Sequence, residues 1–226
     1  MNSLEMLAHI AKGLGPLKDK VVFVGGSTVA LYLTDPGSAT VRPTEDVDCV
    51  IQVLTRGQYY KLERELEKLG FRHVTEPGAP ICRWSYKGLT TDIMPTEGTV
   101  LNFRNSWYTD GYEHAISVKL PGGEQIRIFS LPYFLASKIE AFKDRGHGDF
   151  LTSPDMEDII TVLDGSERIA EEISAAPAKA KKYLAGQFHE FLRDERFTES
   201  LEGNLRSPAG TAVRVERIRR ILGSLS

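Results

Sequence analysis

The sequence has two cysteines and no long apolar run. No stretch approaches the roughly 20 apolar residues that a transmembrane helix needs, and the first residues lack the basic and apolar regions of a secretory signal. Cys49 and Cys82 lie in apolar, strand-like stretches without metal-ligand spacing, so they are expected to be reduced core thiols. We therefore expect a cytoplasmic protein that binds no membrane and does not depend on disulfides.

A strong excess of either charge is also missing. The 226 residues carry a formal net charge of -3, with 41% hydrophobic and 26% charged residues. This ordinary globular composition excludes a disordered or fibrous chain and gives no global sign of nucleic-acid binding. The length suits one large domain or two small ones.

The end of the chain is a local exception, because it is rich in arginine. Arg214, Arg217, Arg219 and Arg220 stand among apolar residues there. The pattern fits a terminal amphipathic helix, since cations are favourable near a helix C-terminus. It also fits a patch that binds RNA phosphates.

The predicted secondary structure changes near residue 130. Before that point, β-branched or alternating stretches predict strands at 21–24, 47–54, 81–86, 91–94, 115–120 and 125–129. A glycine-bounded amphipathic helix is predicted at 57–70. After that point the sequence predicts helices at 131–145, 154–163, 166–174, 178–193 and 211–222. An α/β half and a helical half are therefore expected.

The first candidate site is Gly25-Gly26-Ser27, between an apolar strand and a predicted helix at 28–33. Glycine lets the backbone approach a ligand closely, and a helix N-terminus suits a phosphate. Taken alone, a glycine pair at such a turn is ordinary turn chemistry. No G-x-G-x-x-G dinucleotide motif follows the strand.

Three aspartates supply the chemistry that the glycine turn lacks. Asp46 and Asp48 begin the next strand, where side chains two residues apart point to one face, and Asp92 lies in a later strand. Converging carboxylates repel each other unless a cation lies between them. Mg²⁺ prefers oxygen ligands and is commonly shared with substrate phosphates, so it is the expected metal at these three residues, with Mn²⁺ as the alternative.

The order of these motifs resembles a known superfamily. Gly25-Gly26-Ser27 followed by Asp46-Val-Asp48 resembles the polymerase-β-type minimal nucleotidyltransferases. The form Arg42-Pro-Thr44-Glu-Asp46-Val-Asp48 is similar to the AbiEii/AbiGii toxin group. Two later segments, SKIEAFKDR and SPDMEDI, resemble that group's lysine–arginine helix and its Asp-x-x-Asp motif. The resemblance covers residues 20–165.

The resemblance implies a fold and an activity. The fold is α+β: a nucleotidyltransferase domain with a mixed sheet flanked by helices over residues 1–130, and a helical C-terminal domain over residues 131–226 that completes the cleft. The activity is transfer of a nucleoside monophosphate from an NTP to an acceptor hydroxyl, with release of pyrophosphate. In several members of the toxin group the acceptor is the tRNA 3′ end, and an antitoxin encoded nearby, or phosphorylation, restrains the enzyme, so a tRNA acceptor and a cognate antitoxin are the expected partners.

The same resemblance implies roles for individual residues. The expected catalytic residues are Asp46, Asp48, Asp92, Lys138 and Asp158. The expected NTP-binding residues are Gly25, Gly26, Ser27, Arg42, Thr44, Lys138 and Arg145.

Physical reasoning adds to these roles at three positions. Lys138 lies on an apolar helix face, so its ammonium needs an anion, which either a triphosphate or Asp158 would supply. Asp155, in the first turn after Ser153-Pro154, is expected to interact only with the helix dipole. Thr44 is expected to fix its loop through a local hydrogen bond.

Two other functions stay open from the sequence. The same chemistry with a different acceptor would modify a small molecule, such as an antibiotic hydroxyl, or a protein side chain. A non-catalytic nucleotide-binding or antitoxin-type module would keep the fold without the reaction. The presence of all three aspartates argues against this last interpretation.

Overall fold

The computed structural model describes residues 1–35, 41–101, 105–205 and 210–226. The chain forms two compact units. The first unit comprises residues 1–30 and 43–130, and the second comprises residues 31–42 and 131–226. The described residues 31–35 and 41–42 therefore group with the helical part of the chain, whereas the sequence places them in the α/β half.

The first unit contains a seven-stranded mixed sheet. Its strands are β1 (Val21–Val24), β2 (Asp46–Ile51), β3 (Arg72–His73), β4 (Arg83–Tyr86), β5 (Leu89–Pro95), β6 (Ile116–Lys119) and β7 (Gln125–Ile128). The strand order is β3-β4-β5-β2-β1-β7-β6. The pairs β2–β5 and β1–β7 are parallel, and the other pairs are antiparallel.

Strand β1 lies near the middle of the sheet, and all four of its residues are buried. Its Val-Val-Phe-Val sequence suits such a position, because β-branched and aromatic side chains pack well on a pleated surface. Parallel pairing of β2 with β5 needs a connection that crosses over, and the helix Arg56–Lys68 lies in that connection.

The described part of the first unit contains three α-helices: α1 (Ser3–Leu14), α2 (Arg56–Lys68) and α3 (Tyr108–Glu113). Both α1 and α2 begin with a capping box, built from Asn2 with Glu5 and from Thr55 with Gln58. Two 3₁₀ helices, Gly15–Lys20 and Gly26–Tyr32, flank β1. The helix predicted at 28–33 is thus a 3₁₀ helix that begins two residues earlier.

The second unit is helical in its described part. Its helices are α4 (Leu131–Asp144), α5 (Pro154–Gly165), α6 (Ile169–Ala175), α7 (Ala178–Leu192), α8 (Glu195–Asn204) and α9 (Thr211–Gly223). A group of aromatic rings forms much of its core, with ring centroids of Phe142 and Phe150 4.9 Å apart and those of Phe150 and Phe191 5.2 Å apart. Such tilted and edge-to-face ring pairs stabilise a core beyond simple area burial.

The predicted fold class is confirmed: the chain is α+β, with a mixed sheet and helices followed by a helical C-terminal part. Helix α8 is absent from the sequence prediction because it buries just Phe197, Ser200 and Leu201, too short an apolar stripe to show a helical period. Helix α3 is also absent from the sequence prediction, because Gly111 interrupts its helical spacing of apolar residues. A Cβ at Gly111 would lie 2.8 Å from the Phe129 ring, so close packing requires the glycine.

Across the described ranges, no helix has both the length and the apolar character of a membrane span.

Candidate metal and nucleotide site

Asp46, Asp48 and Asp92 meet on one face of the sheet. Strand β2 runs between β1 and β5, and Asp48 lies in register with Asp92 across the parallel pair. One carboxylate oxygen from each of the three residues lies within 4.8 Å of the others. Asp92 is buried, whereas Asp46 and Asp48 are half-buried. The predicted convergence of these carboxylates is therefore present.

The glycine turn lies directly against one of these carboxylates. Gly25 has a φ of +76°, and a Cβ at this residue would lie 2.1 Å from Oδ2 of Asp48. Only glycine fits, because both the left-handed backbone and the contact exclude a side chain. The amide and the hydroxyl of Thr28 donate to the Gly25 carbonyl at 3.2 and 2.9 Å, which fixes the turn.

The other two turn residues, Gly26 and Ser27, begin the 3₁₀ helix that follows β1. Ser27 is buried, and its hydroxyl lies 3.5 Å from the Val24 carbonyl. That hydroxyl is thus turned toward the chain's own backbone. A nucleotide-binding role for Gly26 and Ser27 stays a prediction.

Thr44 acts on the segment that leads into β2. Its hydroxyl lies 3.2 Å from Oδ1 of Asp46 and 3.4 Å from the Asp46 carbonyl oxygen. The expected local hydrogen bond is therefore present. It orients the side chain of a candidate metal ligand, which sequence reasoning did not anticipate.

Arg83 is a site residue that sequence reasoning missed. It lies opposite Asp92 in the antiparallel β4–β5 pair. Its Nε and Nη2 each donate to one oxygen of Asp92 at 2.8 Å, and Nη2 also lies 3.7 Å from Asp46. The hydrogen bonds to Asp92 raise the pKa of Arg83 above its ordinary value. A permanent positive charge therefore lies beside Asp92 and Asp46.

The residues present fit a divalent cation such as Mg²⁺. The donor set consists of carboxylate oxygens, which hard cations prefer. The guanidinium of Arg83 already takes a cation's place beside Asp92 and Asp46, and Gly25 leaves the space that the Asp48 carboxylate occupies. Among the described residues, this is the one cluster of three or more candidate ligands.

The two cysteines lie in the unit that carries these acids. Cys49 and Cys82 are both free and buried. Burial, followed by the nearby Asp92 carboxylate, raises the pKa of Cys82 to about 12. Burial also raises the pKa of Cys49. Both thiols are therefore protonated and unreactive at neutral pH, as expected for core cysteines.

A second charged cluster lies within the helical unit. Lys138 donates to Asp155 at 2.9 Å and to Asp158 at 2.6 Å, and all three residues are buried. Arg145 binds both oxygens of Asp155 at 2.8 Å, and Arg42 binds both oxygens of Asp158 at 2.8 and 3.0 Å. Each buried carboxylate thus has two cationic partners.

This cluster decides between the alternatives for Lys138 and corrects one expectation. The ammonium of Lys138 is compensated by protein carboxylates, so its burial does not require a triphosphate. The expectation that Asp155 interacts only with the helix dipole is wrong, because its carboxylate binds Lys138 and Arg145. A catalytic role for Lys138 and Asp158, and phosphate contacts of Arg42 and Arg145, stay predictions.

Asp155 is expected to make stability depend on acid pH. Burial alone raises the pKa of Asp155, but Arg145 and Lys138 outweigh it and lower the pKa from 3.8 to about 2. The folded state therefore binds the proton less readily than the unfolded state. A contribution of about 2 kcal/mol is complete above the unfolded pKa and disappears as the pH falls through the folded pKa.

The check is urea unfolding of the parent and of Asp155→Asn at a series of pH values from 6 down to the acid limit of folding. The variant should lose about 3 kcal/mol at pH 6, because a buried ion-pair partner is removed, and its unfolding free energy should fall less steeply below pH 4. Exposed Asp144→Asn serves as the control and should follow the parent. An equal acid slope in the parent and in Asp155→Asn would show that another group is responsible.

The arginines of the terminal helix mostly contact the helical unit itself. Arg214 binds both oxygens of Asp164 at 2.7 Å, and Arg217 lies 3.1 Å from the same carboxylate. Arg219 donates to the Thr198 hydroxyl at 2.6 Å, whereas Arg220 is exposed. For the first three residues these contacts favour an amphipathic helix over an RNA-binding patch.

Comparison with known proteins adds structural likeness, without a match in sequence. No protein-family model matches the chain, and no curated protein is significantly similar to it. Among solved structures, the chain is similar to the antibiotic-resistance factor ANT(2'')-Ia, with a TM-score of 0.49 and 14% sequence identity. The match covers 84% of this chain and 97% of that chain. A likeness at this level says nothing about activity.

Proposed function

We propose that the chain is a Mg²⁺-dependent nucleotidyltransferase, which moves a nucleoside monophosphate from an NTP to an acceptor hydroxyl and releases pyrophosphate. One observation carries the proposal: the carboxylate oxygens of Asp46, Asp48 and Asp92 lie within 4.8 Å of one another, and the Gly25 turn packs against Asp48. Carboxylates that hold metal ions and glycine-containing loops near the phosphates recur among phosphoryl-transfer enzymes.

The proposal assigns a separate role to each residue of the cluster and of the glycine turn. Asp46 and Asp48 would hold the metal, and Asp92 would complete the cluster. Bound Mg²⁺ would supply charge neutralisation of the triphosphate and a more acidic acceptor hydroxyl. Gly25 has no side chain, so its backbone lies directly against the Asp48 carboxylate. A phosphate bound to a metal on Asp48 would therefore meet the backbone of the turn and no side chain of Gly25. Thr44 keeps the Asp46 carboxylate oriented.

For the acceptor, we propose the 3′ end of tRNA, with the protein acting as the toxin of a toxin–antitoxin pair. Support comes from the Arg-x-Thr-x-Asp-x-Asp form of Arg42 to Asp48 and from its similarity to the AbiEii/AbiGii group. Under this proposal, Lys138 and Asp158 belong to the machinery that the group shares. A cognate antitoxin would be the partner that restrains the activity.

A small-molecule acceptor is the second candidate, and one observation favours it. Three of the four arginines that would form an RNA-binding patch are engaged by Asp164 or Thr198. With a net charge of -3, the chain has no overall attraction for RNA phosphates. Under this second candidate, the acceptor would be a hydroxyl of a cationic compound such as an aminoglycoside.

One labelling experiment distinguishes the two acceptors. The full chain is incubated with Mg²⁺ and each α-³²P-labelled NTP in turn, once with total tRNA and once with a panel of aminoglycosides. Label on tRNA that is lost when the 3′ end is blocked supports the first candidate, and label on a small molecule supports the second. Absence of label on any acceptor, the protein included, with all four NTPs would refute the enzymatic proposal. Omission of Mg²⁺ is the matched control.

A further inference from the structure

Arg83 introduces a positive charge where the acids would bind their metal. Its fork of donors takes both oxygens of Asp92 at 2.8 Å, and Nη2 lies 3.7 Å from Oδ2 of Asp46. The strands themselves impose this position, because β4 and β5 pair Arg83 opposite Asp92. The guanidinium therefore stands between two of the three candidate ligands.

A divalent cation shared by Asp46 and Asp92 needs the same oxygens. Mg²⁺ takes ligand oxygens at about 2.0–2.1 Å and gives up its waters reluctantly, so it requires accessible lone pairs. Two cations near the same carboxylates also repel each other. The Arg83 side chain is 30% exposed, so it has a path toward solvent without opening the core.

We propose that Arg83 is an internal counter-cation that a divalent metal displaces from Asp46 and Asp92, so that Arg83 sets the metal concentration at which the site fills. The inference rests on the proposed function, because it takes this cluster as the metal site. Without metal, Arg83 offsets the repulsion among the three carboxylates and holds Asp92 in place. Arg83 is thus a positioning residue that raises the metal concentration needed to fill the site.

The test is calorimetric titration of Mn²⁺ into the full chain without nucleotide. Arg83→Gln removes the competing charge and should bind Mn²⁺ about tenfold more tightly than the parent, since a unit charge at this distance acts strongly on an incoming cation. Lys87→Gln is the matched control, because it removes the same charge from an exposed position on the same β4–β5 hairpin. Its Mn²⁺ affinity should stay within about twofold of that of the parent.

Thermal unfolding provides a second readout. Metal-free Arg83→Gln should melt at a lower temperature than the parent, because its carboxylates lose their counter-cation, and Mn²⁺ should raise its Tm by more. Arg83→Lys keeps the charge but not the two-pronged contact, so its Mn²⁺ affinity should lie between those of the parent and Arg83→Gln. If Arg83→Gln does not fold without metal, Arg83→Lys still tests the inference.

The possible results separate this inference from the proposed function. If the parent binds Mn²⁺ and the Arg83 variants bind it equally or more weakly, Arg83 supports the site instead of competing, and the inference is overturned while the metal site stands. If neither the parent nor any Arg83 variant binds Mn²⁺, the metal site itself is refuted, and the inference falls with it.

Discussion

Asp48→Asn is expected to lower the proposed nucleotidyl transfer by about 10³-fold, the upper end of the loss seen when one electrostatic group is removed from an active site. Asp48 lies in register with Asp92 and against the Gly25 turn. An amide in its place provides a neutral oxygen and leaves two carboxylates to hold the metal. The initial rate of NMP transfer to the identified acceptor at saturating Mg²⁺ measures the effect.

The same substitution should leave the fold intact. Removing one charge from three neighbouring carboxylates reduces their repulsion, so the metal-free Tm should stay equal or rise. Asp92→Asn should behave differently, because it deprives Arg83 of its two-pronged partner and costs about 1–3 kcal/mol. The contrast between these two variants distinguishes loss of a metal ligand from loss of structure.

Glu45→Gln is the control for Asp48→Asn. Glu45 is exposed and lies next to Asp46, so the substitution removes a carboxylate from the same segment without touching the cluster. It should retain the activity of the parent. If Asp48→Asn kept activity within tenfold of the parent at equal folding, Asp48 would not be a ligand of an essential metal.

The convergence of the acids could be predicted from sequence because it depends on local periodicity. The period of two in a strand places Asp46 and Asp48 on one face, whatever the rest of the fold does. Asp92 joins them through the parallel pairing of β2 with β5, which no local pattern contains. Asp92 is therefore a candidate ligand on chemical grounds, as a third carboxylate in a predicted strand, whereas its distance from Asp46 and Asp48 depends on tertiary pairing.

Arg83 could have been found from the turn that follows its strand. Lys87 and Gly88 both have positive φ, at 47° and 85°, and form the two-residue connection of a hairpin. Counting outward from such a turn gives the pairs Tyr86–Leu89, Ser85–Thr90, Trp84–Thr91 and Arg83–Asp92. A Lys-Gly pair between two short strands was thus the missed signal, since hairpin length sets strand register.

The partners of Lys138 in its buried cluster could not be predicted from local spacing. Helical spacing establishes that Lys138 needs an anion, but spacing cannot say which one, because its carboxylate partners lie on the next helix. The structure places Asp155 and Asp158 there, and it adds Arg42 from a distant segment. Long-range charge pairing depends on how helices pack, which a pattern within one helix does not encode.

Gly25→Ala is expected to impair the site strongly, although less than loss of the Asp48 carboxylate does. An alanine with a φ near +76° costs about 1–2 kcal/mol by itself, and its Cβ would lie 2.1 Å from Oδ2 of Asp48. The carboxylate or the turn must move, so Mn²⁺ affinity and transfer activity should each fall by about 10²-fold, as expected when a small displacement disturbs a catalytic geometry. Calorimetric Mn²⁺ titration and the initial rate of transfer measure the two losses separately.

Gly123→Ala isolates the part of this effect that comes from the contact. Gly123 also has a positive φ, of +87°, but nothing lies within 4 Å of its added Cβ. Both variants therefore carry similar backbone strain, and this strain should lower the unfolding free energy of both by a similar amount. Only Gly25→Ala should also lose Mn²⁺ affinity, since only there does the new methyl group meet a ligand. Equal Mn²⁺ affinities in the two variants would mean that the Gly25 turn does not shape the Asp48 carboxylate, which would remove the glycine turn from the proposed site.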